Sequence, residues 1–159
     1  MENKGFDWRT FLTWILRIFV GGVFMFSGLT KAIDPWGTLY KVEDYLQVMG
    51  LDIWPNLKLV GVFGLCAIEF LTGIFILAGC FRRSAAIMAA VIMAFMLPFS
   101  LWIAIDDPVA DCGCFGDAFI ISNWATFWKN VVISSAILWL IKNNKKCRWL
   151  VTPALQWIA

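Results

Sequence analysis

The 159-residue chain contains no histidine, which excludes histidine-ligated haem, the common zinc sites and imidazole as a catalytic base. Charge is scarce as well. Asp, Glu, Lys and Arg make up 15% of the residues, against roughly 25% in an average soluble domain. The net charge is only +2, and the basic residues flank apolar runs without forming a stripe interleaved with exposed aromatics. No nucleic-acid partner is therefore expected. What fills the chain is apolar: 61% of it is hydrophobic, where a soluble domain runs at roughly 45–50%. These proportions describe an integral membrane protein in a lipid bilayer, built as one membrane domain of membrane-spanning helices.

Four apolar runs are long enough to cross a bilayer, at residues 11–29, 57–79, 85–105 and 124–141. The fold expected is an all-α four-helix bundle. The first run follows Lys4 and Arg9 but is too long for a signal-peptide core and has no small-residue cleavage pattern after it, so it reads as a retained span. Gly21, Gly22 and Gly28 leave one of its faces nearly bare, as close helix packing in lipid requires. Between the first two spans, Leu39, Val42, Leu46 and Met49 recur at helical spacing among Lys41, Glu43, Asp44 and Gln47. This predicts a short amphipathic helix on the membrane surface, started by Pro35 and Gly37 and ended by Gly50. Trp36, Tyr40, Tyr45 and Trp54 suit the headgroup level. Pro98 falls inside the third span, where a kink and a freed carbonyl are expected. Residues 142–159 read as an interfacial tail, since their apolar run is short and broken by Pro153.

The basic residues set the orientation. The N-terminal lead, the Arg82-Arg83 turn and the tail alternate with loops poorer in Lys and Arg. The positive-inside rule then places both termini in the cytoplasm. Both long loops face outward, which in a bacterial inner membrane means the periplasm, along with the surface helix. Disulfides form and persist there.

The last loop carries Asp111-Cys112-Gly113-Cys114-Phe115-Gly116-Asp117. Two thiols one residue apart can exchange a disulfide, pin the loop as a structural bridge, or bind a soft metal together. A bridge across one residue is hard to close in relaxed geometry, and strain with exposure favours the labile regime of exchange. Asp111 and Asp117 oppose it by disfavouring the thiolate. A cation at the same end, Lys31 or Lys129, would offset them. Cys66 lies about 12 Å along the second span from Lys58 at 1.5 Å per residue, where a third thiol would either relay a disulfide or serve as a small buried hydrophobe. Cys80 and Cys147 fall at the opposite ends of their helices and read as inert thiols. Arg17 and Glu69 are charges well inside spans, each costly alone in hydrocarbon. A buried ion pair joining them is expected, either structural or as part of a quinone, proton or substrate site.

Three stretches carry a resemblance: Phe26-Ser27-Gly28-Leu29-Thr30-Lys31 with Pro35, Glu69 followed by Gly73 and Gly79, and Cys112-Gly113-Cys114-Phe115-Gly116. With them the chain resembles the DoxX-like family of small four-span membrane proteins and, within it, the MauE-type branch. The resemblance implies a bundle in the bacterial inner membrane linked to thiol, disulfide or sulfur redox outside the cytoplasm. A periplasmic thioredoxin-like or disulfide-containing protein, or a quinone, would be the exchanger. The motif is Cys-X-Cys and not Cys-X-X-Cys, so the mechanism of thioredoxin-like proteins does not carry over residue by residue. The expected function is a membrane thiol-disulfide oxidoreductase acting through Cys112 and Cys114, with Glu69 and Arg17 as cofactor-binding candidates and Lys31 and Cys66 in support. The alternatives are a non-enzymatic membrane subunit or assembly factor whose cysteine bridge is structural, and a small-molecule carrier using Arg17 and Glu69.

Overall fold

The structure is a computed structural model and describes residues 7–51, 54–107 and 121–143. Their regular secondary structure is entirely helical: α1 Trp8–Ile33, α2 Pro35–Val48, α3 Pro55–Ala78, α4 Arg82–Asp106 and α5 Asn123–Asn143. α1, α3, α4 and α5 are long and apolar enough to span a membrane. α1, α4 and α5 extend past their expected apolar runs at both ends, while α3 starts two residues earlier and ends one residue short. The Asp7 carboxylate accepts from the backbone N–H of Arg9 at 3.1 Å and so caps α1. Asp34 separates α1 from α2, its side chain accepting from Gly37 N at 2.9 Å with Pro35 in the first helical position. Gly79 ends α3 with φ at +76°, the left-handed conformation that glycine takes without steric cost. α4 continues through Pro98.

α1 packs along α3 and α4 along α5, and contacts of α1 with α5 and of α3 with α4 close the ring. The core lies inside that ring. Val20 and Phe24 of α1 meet Ile76 of α3, Ala85, Ala89 and Met93 of α4, and Ile133, Ala136, Ile137 and Leu140 of α5. The outer surface is apolar too, with Ile18, Phe63, Val91, Phe95, Val132 and Leu138 exposed, as expected of helices facing lipid.

α2 covers one end of the bundle. Its Leu39 packs with Val62 and Cys66 of α3, its Tyr45 with Ile103 of α4, and its Glu43 pairs with Lys58 at 3.4 Å. Trp36 and Tyr40 remain on the exposed side. The chain leaves the described residues after Asp107 at this same end, where the Asn123 side chain donates to Asp107 Oδ1 at 2.6 Å and ties the start of α5 to the end of α4. At the other end, Trp139 of α5 donates to Thr13 Oγ1 of α1 at 3.3 Å.

Candidate functional site

The site begins with glycine. A Cβ on Gly28 would stand 2.5 Å from Phe70 N and 2.8 Å from Cys66 O, and one on Gly73 would strike the backbone of Met25. The helices α1 and α3 therefore touch backbone to backbone. Gly21 and Gly28 are seven residues apart, two turns of one helix face, as are Cys66 and Gly73. The seam fixes an antiparallel register in which Ser27 lies across from Glu69, and Lys31 follows one turn further along the same face of α1.

The three side chains meet in the interior. Lys31 Nζ donates to Glu69 Oε1 at 2.8 Å and to Oε2 at 2.7 Å, and Ser27 Oγ donates to Oε2 at 2.9 Å. Lys31 and Glu69 are each 4% exposed. Both lie within membrane-spanning helices, where a lone charge is expensive and a paired one faces the bundle interior or a water-filled cavity. Here a cavity of about 40 Å³ adjoins the pair, with Lys129 and Asn130 of α5 and Met93 and Met96 of α4 across it. A larger apolar cleft of about 240 Å³ lies between α2 and α4, lined by Thr38, Tyr45, Leu46, Phe95 and Phe99. Lys31 and Met96 border both spaces.

The cation paired with Glu69 is thus Lys31, where Arg17 was expected. Arg17 Nε and Nη2 donate to the carbonyl of Ile76 at 3.2 and 2.9 Å, and its guanidinium carbon lies 5.6 Å from the Trp14 ring centroid. The physical reason is the register. Arg17 precedes Ser27 by ten residues, about 15 Å of helix, which carries it to the end of α3. Ile76 is in the last turn of that helix, where a carbonyl lacks an intrahelical donor and the helix dipole favours a cation. Arg17 thus serves the end of α3 and stands apart from the Lys31–Glu69 site.

Cys66 is buried beneath α2 against Leu39 and Val62. Lys31 lies beneath the same end of the bundle, but its ammonium is engaged by Glu69 on both oxygens. Cys112 and Cys114 lie outside the described residues, as does Cys147; Cys80 is half-buried beyond the end of α3. Asn130 went unnoticed in the sequence although it is a lone amide in an apolar span, which is the signal that would have found it. Ser27 and Lys31 stood in a recognisable stretch, and their spacing of four residues already puts them on one helix face.

Residues 9–142 match the family described as methylamine utilisation protein MauE. The chain belongs to the MauE family. The matched residues run from the start of α1 to the end of α5, so they take in the seam, the buried pair and the cysteine motif. Neither the curated proteins nor the solved structures contain a match. With its four spanning helices, this MauE protein is a multi-pass membrane protein of methylamine utilisation.

Proposed function

We propose that this MauE protein exchanges a Cys112–Cys114 disulfide with a periplasmic protein partner in the service of methylamine utilisation. The observation that supports it is where the ends of the cysteine segment emerge. Asp107 and Asn123, hydrogen-bonded to each other, bring both ends of that segment to the end of the bundle covered by α2, and the segment falls within the MauE match. A thiolate of one protein attacks a sulfur of the other's disulfide, a mixed disulfide forms, and the second thiol of the attacking pair resolves it. The two electrons and two thiol protons that one protein gains are those the other gives up.

The quinone implied by the resemblance would bind by its head group in the cleft between α2 and α4. Its volume of about 240 Å³ is below the roughly 300–1,000 Å³ of sites for drug-sized ligands, so it has room for a head group without the whole tail. Tyr45, Phe95 and Phe99 would wall the ring and Lys31 would donate to a carbonyl, with Arg17 taking no part. When bound, a quinone supplies a two-electron acceptor.

A second reading is favoured by one observation. Glu69 holds the ammonium of Lys31 on both oxygens, which takes one of the two candidate cations, Lys31 and Lys129, away from Asp111 and Asp117 and suits a membrane subunit whose bridge only shapes a docking surface. Trapping separates the two. Cys114→Ser is expected to accumulate a mixed disulfide through Cys112 with a periplasmic protein; if neither single cysteine variant traps one, the subunit reading stands. The potential is an independent measure, since a Cys112–Cys114 couple lower than about −300 mV would mark a structural bridge.

A further inference from the structure

The cleft between α2 and α4 has walls that are almost entirely apolar. On α2, Val42, Leu46 and Met49 follow one another at spacings of four and three and so share a helix face. Phe95 and Phe99 of α4 and Leu65 of α3 line the same space. α2 is seated by Leu39 on α3 and by Tyr45 against Ile103 of α4, yet about 240 Å³ stays open between α2 and α4. Two of the polar side chains on its walls are already engaged, Lys31 by Glu69 and Thr38 by the carbonyl of Asp34 at 3.2 Å. Water settles in a cavity where two to four polar partners hold it, and an apolar void stays dry. A dry void in turn forfeits the dispersion contacts of its lining. Hydrocarbon is the occupant that such walls favour.

Depth says where that hydrocarbon comes from. Leu65 lies ten residues from Pro55 at the start of α3, and Met96 ten residues from Asp106 at the end of α4, about 15 Å of helix in each case. That is about half the thickness of the hydrocarbon core of a bilayer. A water-soluble partner does not reach so far, whereas lipid chains surround the helices there. The edges of the cleft are exposed too, Phe95 at 66% on the outer surface of the bundle and Met49 at 52%. An apolar cavity of about 150 Å³ is enough to take up benzene, so the cleft has room for a stretch of a single chain. We propose that it is a binding site for one acyl chain of a membrane phospholipid, which enters from the bilayer and packs between the α2 face of Leu46 and Met49 and the α4 face of Phe95 and Phe99. A quinone head group using the same cleft has to displace this chain. The chain's site itself depends on neither the quinone nor the thiol chemistry.

Carbene photolabelling of the full chain in lipid nanodiscs tests the proposal, the probe being a phosphatidylcholine with a diazirine near the methyl end of one acyl chain. Leu65 and Met96, half-buried residues that line the cleft, report a chain bound inside it. Val132 and Leu138, exposed on the outside of α5, report ordinary contact with surrounding lipid. The expected result is adducts on Leu65 and Met96 in the native chain, falling at least threefold in Leu46→Trp, whose larger side chain fills the cleft, while adducts on Val132 and Leu138 are unchanged. A native chain labelled on Val132 and Leu138 but on neither Leu65 nor Met96 overturns the proposal without recourse to any variant. Unchanged labelling of Leu65 and Met96 in folded Leu46→Trp overturns it as well, since lipid then reaches them by a route other than the cleft.

Discussion

At the scale of single residues, the buried pair explains itself by what would follow from breaking it. Removing one member of a buried ion pair leaves the other charged and unpartnered, a loss of about 3–5 kcal/mol, while replacing both by apolar groups is often neutral. Lys31→Met and Glu69→Leu are each expected to lower the thermal midpoint in detergent, and the double variant to recover most of the loss. Additive losses would mean that the 2.7 Å contact carries no coupling. A folded double variant then separates architecture from chemistry, because it should retain activity only if the pair is structural. Of the three buried charges in the described spans, Arg17 and Glu69 were legible in the sequence as lone charges in apolar runs. Their partners were not. Depth counted from helix ends brings Arg17 near Glu69, but the contact is set by which helix faces touch, and the sequence does not state that register. Arg17 at the end of α3 is expected to tolerate Lys better than Met, since either cation can still meet the Ile76 carbonyl.

At the scale of helices, that register rests on glycine. Gly28 and Gly73 sit where a Cβ would meet the backbone of the opposing helix, while a Cβ on Gly22 would meet nothing within 4 Å. Backbone cannot yield as a side-chain end can, so Gly28→Ala and Gly73→Ala are expected to destabilise by about 1–3 kcal/mol, the usual range of overpacking. Gly22→Ala should be neutral or slightly stabilising because alanine is the better helix former. Equal stability of all three variants would remove the seam as the origin of the register. The four spans and the helix between the first two were legible because each rests on a local signal: an apolar run, a helical period, Pro35 and Gly37. The seam was only half legible. Gly21 and Gly28 pointed to close packing, but their partner face, Cys66 and Gly73 on α3, becomes visible only when the helices are set antiparallel.

At the scale of the whole molecule, the up-and-down order of α1, α3, α4 and α5 puts the start of α1 and the end of α5 at one end, joined by Trp139 and Thr13. The end covered by α2 is the opposite one, where Asp107 and Asn123 bracket the cysteine segment. The fold thus makes the two ends chemically unlike, whichever way the bundle sits in the membrane. Charge decides which way it sits, since the Arg82-Arg83 turn and Lys142, Lys145, Lys146 and Arg148 are at the end away from α2 or follow α5. By the positive-inside rule that end is expected to be cytoplasmic. Two chains, each retaining one cysteine, test this with a membrane-impermeant maleimide on intact spheroplasts after mild reduction. Cys112 is expected to react from outside, and Cys80 only after the membrane is permeabilised. Early labelling of Cys80 with protection of Cys112 would invert the topology, move the cysteine pair into the reducing cytoplasm, and remove the compartment on which disulfide exchange with a periplasmic partner depends.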